Sequence, residues 1–89
     1  MHETNGKLEA SAMAFQALAW ALMDETRAER LLSLTGLTPD SLRGSINERG
    51  TQAAILAFLE GHEPDLVACA HVIGVSPAVL VHARQELEA

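Results

Sequence analysis

One short pattern of backbone-directing residues occurs twice in this chain and limits what it can fold into. Gly36 is followed, after one intervening residue, by Thr38-Pro39. Gly74 is followed in the same way by Ser76-Pro77 in the last third of the chain. Glycine ends a helix where the backbone needs a positive φ, and Ser or Thr before Pro is typical of a helix start. Since no segment alternates apolar and polar residues with a period of two, the sequence predicts an all-α fold of short helices.

The recurrence of this pattern indicates an internal repeat. The offset that places Gly36 on Gly74 aligns residues 16–42 with residues 54–80 without a gap, and it also places Pro39 on Pro77. One such unit cannot bury its own apolar face, whereas two packed together can. We therefore expect a single domain over residues 7–89, a compact bundle of five or six short helices built from two pseudo-repeated units. Residues 1–6 are polar and unpatterned, and we expect them to be disordered.

Capping residues and apolar spacing predict where each helix lies. The first is expected from Lys7 to Met23, and the others at 27–35, from 39 to about 44, at 51–61, at 63–74 and from 77 onward. We expect Thr26 to cap the second helix, 43–50 to be a loop, and the apolar helix at 51–61 to be central and buried. The inner face of the first helix is expected to be a stripe at helical spacing, widened by Ala14 and Leu18: Leu8, Ala12, Phe15, Ala19 and Leu22.

The charge of the chain argues against two classes of partner. Twelve acidic residues against six basic ones give a net charge of −6 at pH 7, and the sequence contains no run of Lys or Arg. Proteins that bind nucleic acid or an anionic membrane surface bring clustered Lys and Arg. Neither nucleic acid nor a membrane is therefore the expected partner.

The sequence contains no recognisable catalytic or metal-binding constellation. The four histidines and the single cysteine lack the spacing of metal ligands, and there is no phosphate-binding loop or nucleophile elbow. Carboxylate pairs lie at the predicted helix starts, where they can cap the helix and interact favourably with its dipole. Cys69 has no disulfide partner in the chain, which favours a reducing, cytoplasmic location. We therefore expect no enzyme, no cofactor and no metal site.

These exclusions favour a small protein–protein interaction module that binds another protein or a second copy of itself. The 43–50 segment is the least symmetric and most basic part of the two units, and its Arg43 and Arg49 are candidate partner contacts. The alternative is that this segment is a plain connector. Trp20 is the third candidate. It is either an exposed contact residue or, like Phe58 at the aligned position, part of the core.

The last third of the chain resembles a DNA-binding helix-turn-helix motif. The matching positions are structural: Ala70, Gly74, Val75, Leu80 and Ala83. They indicate a tight turn between two helices and carry no information about DNA. A helix-turn-helix-like DNA-binding or transcription-associated protein is therefore the alternative function, and the acidic charge argues against it. Its contact residues would be Ser76, His82, Arg84 and Gln85.

Four stretches carry a wider resemblance: ALAW at 17–20, LTGLTPDSLR at 34–43, ILAFL at 55–59 and GVSP at 74–77. Through them, residues 12–88 resemble an uncharacterised family of small all-helical bacterial proteins, a domain of unknown function. The resemblance implies an all-α fold and a bacterial cytoplasm. It brings no activity, cofactor or functional residue.

Overall fold

The chain is all-helical in a computed structural model that describes the backbone of residues 2–89 and the side chains of residues 8–89. The six helices are α1 (His2–Leu22), α2 (Glu25–Thr35), α3 (Pro39–Ser45), α4 (Arg49–Glu60), α5 (Glu63–Ile73) and α6 (Pro77–Glu88). Residues 2–89 contain no strand. The molecule measures 38 × 28 × 18 Å, and its shortest dimension accommodates about two layers of helices. The predicted all-α bundle is confirmed.

The helix α4 lies at the centre of the bundle. It contacts α1, α2, α5 and α6, and α1 and α6 also pack extensively against each other. Its buried side chains are Gln52, Ala53, Ile55, Leu56, Phe58 and Leu59. A helix that is apolar on nearly every side needs neighbours on nearly every side, so its central position follows from its composition.

The two predicted units share their helix boundaries. The sequence offset that aligns Gly36 with Gly74 also aligns helix boundaries. Both ends of α2 align with those of α5, the start of α3 aligns with that of α6, and the end of α1 aligns with that of α4. Gly36 and Gly74 both adopt the left-handed conformation, with φ of 75° and 90°. The match ends within α3, which has seven residues, whereas α6 has twelve and packs on α1 and α4. A repeat of whole units therefore stays a prediction.

Three helix starts differ from the expected ones. α1 begins at His2, so the backbone of residues 2–6 is helical where disorder was expected; Met1 lies outside the described residues. Apolar periodicity reveals only the part of a helix that packs against a neighbour. A helix that has already formed can extend through polar residues, because each added residue contributes one backbone hydrogen bond. α2 is capped by Asp24, which accepts the Arg27 N–H at 2.9 Å, and Thr26 lies inside the helix. α4 begins at Arg49, so the expected 43–50 loop shrinks to residues 46–48.

One buried polar side chain joins three parts of the bundle. Gln52 in α4 is 3% exposed. Its Oε1 accepts a hydrogen bond from the Ser11 hydroxyl of α1 at 2.7 Å. Its Nε2 donates to the Ile46 carbonyl, at the end of α3, at 2.9 Å. The amide thus satisfies two groups that would otherwise be left without partners as α1 and the α3–α4 connection close over α4.

We expect Gln52→Ala to lower the free energy of unfolding by about 2 kcal/mol, because it leaves the Ile46 carbonyl and the Ser11 hydroxyl unpaired next to a cavity. Urea denaturation followed by circular dichroism measures this difference. Gln85→Ala, at an exposed position of α6, is the matched control and should change stability by less than about 0.5 kcal/mol. Equal effects of the two substitutions would contradict the bridging role of Gln52.

Candidate functional site

Helix α1 has two apolar faces, and it buries only one of them. The buried face consists of alanines at helical spacing: Ala10, Ala14, Ala17 and Ala21. The opposite side, named here the α1 outer face, consists of Leu8, Ala12, Phe15, Ala19 and Leu22, all of which are exposed. The exposed fractions of Leu8, Phe15 and Leu22 are 64%, 41% and 50%. The predicted inner stripe of this helix is therefore wrong for its five main residues, which form the exposed face. Of the two residues expected to widen it, Ala14 is fully buried and Leu18 packs against the core.

Side-chain size explains which face of α1 is buried. α1 packs against α4 and α6. The side of α4 that lies in the core is already filled by large residues such as Ile55, Leu56 and Leu59. Alanines let the helix axes approach, whereas a row of Leu and Phe at the same place would overfill the core. Both stripes of α1 are apolar, so the period alone could not separate them. The sequence feature that could have identified the buried face is the unbroken row of alanines in α1, which fits against the large residues of α4.

Two shallow clefts border the α1 outer face. The first, about 320 Å³, is lined by Leu22, Leu32, Pro39, Leu42 and Arg43. The second, about 250 Å³, is lined by Gln16, Ala19, Trp20, Met23, Val72 and Ile73. Met23 and Val72 are well exposed there. The apolar surface therefore extends sideways from α1 towards α3 on one side and towards α5 on the other.

Trp20 belongs to the core and is not an exposed contact residue. It is 7% exposed, and the Arg27 guanidinium lies 3.7 Å from the centre of its ring. Arg27 Nη2 also donates a hydrogen bond to the Trp20 carbonyl. At the aligned position, Phe58 is equally buried and lies beneath Arg30. Of the two interpretations of Trp20, the structure supports the core residue, since the ring is buried and the cation lies over it.

Arg43 and Arg49 are both exposed, on different helices. Arg43 lies in α3, pairs with Asp40 at 2.8 Å and stands at the rim of the first cleft. An ion pair this exposed contributes little to stability, so Arg43 can exchange Asp40 for another carboxylate at small cost. Arg49 is the first residue of α4, beyond the short 46–48 connection. The structure leaves both side chains accessible, and their role in partner binding stays a prediction.

Helices α5 and α6 form the corner that resembles a helix-turn-helix. Their axes meet at 99°, and Gly74 donates its N–H to the Ala70 carbonyl at the turn. The inner side of α6 is buried against the rest of the bundle. Of the candidate DNA contacts, Ser76, His82 and Gln85 are exposed. Contact with DNA by these residues stays a prediction.

The fourth candidate of that group, Arg84, is engaged within the fold. Its Nε donates to Glu60 of α4, and its Nη1 donates to Glu88 one turn further along α6. The hydrogen bond with Glu60 raises the pKa of Arg84. Because the guanidinium is largely covered and already bound by two carboxylates, a phosphate would have to displace one of them.

Cys69 lies in the core of the bundle, on α5. Its side chain is fully buried, and this burial raises the pKa of the thiol to about 11. A thiol with that pKa stays protonated at neutral pH, and the thiolate is the reactive form. Within the described side chains, no group of three or more His, Cys, Asp and Glu residues could hold a metal ion. No single helix of residues 2–89 is long and apolar enough to cross a membrane; α5 and α6 meet that criterion only together, as a bent pair.

We expect Cys69 to make stability depend on pH in the alkaline range. Its pKa is raised from 9.0 to about 11 in the folded chain, so the stability contributed by the neutral thiol is complete below pH 9 and is lost as the pH rises towards 11. The stability difference between the wild type and Cys69→Ala should be constant from pH 7 to 9 and should then narrow by about 1–2 kcal/mol. Urea denaturation of both proteins at each pH measures it, and a constant difference up to pH 11 would contradict the raised pKa.

Comparison with known proteins identifies one family. Residues 7–89 match the family described as "Protein of unknown function (DUF3572)". No curated protein and no solved structure matches the chain. The matched region contains most of α1 and all of α2 to α6, so it includes the α1 outer face and both clefts. The resemblance to an uncharacterised all-helical family is thus confirmed, and the chain belongs to the DUF3572 family.

Proposed function

We propose that this protein is a small, non-enzymatic protein–protein interaction module and that the α1 outer face is its contact surface. The observation that carries the proposal is the exposure of Leu8, Phe15 and Leu22 along one side of the longest helix. None of the five residues of this face is charged or polar. A continuous exposed apolar surface bordered by polar residues is typical of a protein-binding site.

The other exposed apolar side chains differ from this face in their arrangement. Leu34 and Val79 stand singly on α2 and α6, whereas Val67 and Val72 share α5 but are five residues apart, which is not the spacing of one helix face. Single exposed apolar residues are common on soluble proteins and indicate no function. Among the described side chains, large exposed apolar residues follow one another at helical spacing over several turns only along α1, which supports a single binding face there.

Several charged side chains of the bundle form ion pairs that join its helices. Arg30 of α2 pairs with Asp65 of α5, and Arg84 of α6 pairs with Glu60 of α4. These pairs join helices, and their charges neutralise one another. The one thiol is buried and protonated at neutral pH. These groups serve the packing of the helices, so the proposal rests on the exposed apolar face alone.

Arg43 fits this proposal as a residue that selects the partner. Arg43 stands beside Leu22 at the rim of the first cleft, so it adds a positive charge to the edge of an otherwise apolar surface. Charges at the rim of an interface act mainly on the rate of association and on specificity. We therefore assign the affinity to the apolar face and the selection of partners to Arg43, and a contribution of Arg49, at the start of α4, stays a prediction.

Photo-crosslinking in the native cell tests this proposal without assuming a partner. We expect a benzophenone amino acid in place of Phe15 to form a covalent adduct with a protein upon irradiation, because the side chain would be buried in the contact. The same amino acid in place of Gln85, exposed on α6, is the matched control. Adducts are detected by the increase in mass on a denaturing gel and identified by mass spectrometry. The absence of any adduct at position 15 above that at position 85 would refute the proposed surface.

A further inference from the structure

We infer that the α1 outer face binds the same face of a second copy of this chain, with the two α1 helices antiparallel. This inference rests on the proposed function and specifies its partner. It follows from the order of the side chains on the face, from their spacing, and from the distribution of acidic residues at the ends of α1.

The order of side chains on the α1 outer face is the same read from either end. It is Leu, Ala, Phe, Ala, Leu, at positions 8, 12, 15, 19 and 22. In a twofold pair, each contact between residue i and residue j occurs twice. With the axis at Phe15, an antiparallel pair places Leu8 against Leu22 of the second copy. It also places Ala12 against Ala19, and Phe15 against its own counterpart. Large residues thus meet large ones at the ends and centre, and alanines meet in between.

The spacing of the face fits a helix partner. Its residues alternate in steps of four and three, which is the heptad spacing of helices that pack along a shared seam. The flanking residues Glu9 and Gln16 border the seam on one side. In the antiparallel pair the two Gln16 side chains lie near each other across the axis. Glu9 then lies near the exposed, apolar Met23 of the second copy.

The acidic residues at the end of α1 favour the antiparallel direction. Asp24 and Glu25 follow closely after Leu22 and are both exposed. A parallel pair would bring four of these carboxylates together, whereas the antiparallel pair separates them by the length of the seam. Each copy still carries a net charge of −6, so the two copies repel each other at long range. Salt screens this repulsion without weakening the apolar contact.

The area of the face sets the strength of the pair. Burial of the outer face and its flanks in both copies would remove about 1,000 Å² from solvent in total, which is at the lower limit of specific interfaces. We therefore expect a dimer in exchange with the monomer, and one that forms more readily as the concentration increases.

Sedimentation equilibrium of the purified full chain tests the inference. From about 5 to about 500 µM, the mass should rise from 9.5 kDa towards twice that value, and at a fixed concentration it should rise as salt increases from about 50 to about 500 mM. Phe15→Glu should remain monomeric throughout. Val79→Glu is the matched control, since Val79 on α6 is also 41% exposed and the substitution adds the same charge; it should associate like the wild type. Circular dichroism verifies that each variant is folded, and Ala19→Glu, on the same face, provides a second test should Phe15→Glu unfold.

Disulfide trapping tests the direction of the pair. In a Cys69→Ala background, Leu8→Cys and Leu22→Cys each leave one thiol per chain. The antiparallel pair predicts a disulfide when the two variants are mixed, and little when either is oxidised alone. Position 8 lies opposite position 22, and neither lies opposite its own counterpart. Disulfides within each separate variant, and none between them, would indicate a parallel pair and overturn the inferred direction.

The outcomes separate this inference from the proposed function. A wild type that stays monomeric up to the highest concentration, or a Phe15→Glu variant that associates like Val79→Glu, would overturn the inference. If the wild type is monomeric while the benzophenone at position 15 crosslinks to a different protein in the cell, the interaction module stands and the second copy is excluded as its partner. If the adduct in the cell has twice the mass of the chain, both are supported.

Discussion

The packing of the alanine face of α1 against α4 and α6 determines which surfaces of this protein remain open. A helix in a bundle about two layers thick can cover only one side, and α1 is apolar on two. Because Ala10, Ala14, Ala17 and Ala21 take the inner position, Leu8, Phe15 and Leu22 on the opposite face lie in solvent. This arrangement packs the helices closely in the core. It also places a row of Leu, Ala and Phe on the surface, where no other described side chain covers it.

Polar side chains hold the remaining helices in register around this contact. Gln52 joins α4 to α1 and to the end of α3, and Arg84 joins α6 to α4 through Glu60. Asp65 of α5 binds Arg30 of α2 in the same manner. These groups are partly or fully covered, so removal of one partner would leave the other without compensation. They are engaged within the fold, whereas the α1 outer face, which we propose as the contact surface, is exposed.

The parts of the fold that depend on backbone chemistry could be predicted from the sequence. Gly36 and Gly74 end helices with a positive φ, and Pro39 and Pro77 begin them, because few other residues suit those conformations. The parts that depend on tertiary contact could not. Asp24 rather than Thr26 caps α2. Trp20 of α1 is covered by Arg27, which belongs to the next helix, and the partners of Gln52 lie on other elements. The buried face of α1 belongs to the same group, since the residue sizes on α4 decide it.

The most direct test of this account compares two alanines of α1 that lie close together in sequence and on opposite faces. Ala17 is fully buried and Ala19 is exposed. Replacement of Ala17 by Leu should overfill the contact between α1 and its neighbours and lower the free energy of unfolding by about 2 kcal/mol. Replacement of Ala19 by Leu should change it by less than about 0.5 kcal/mol, since the added side chain lies in solvent. Urea denaturation of the two variants at low protein concentration measures both values. A larger loss for Ala19→Leu than for Ala17→Leu would show that α1 packs through its Leu and Phe face, and would contradict both the fold and the binding surface described here.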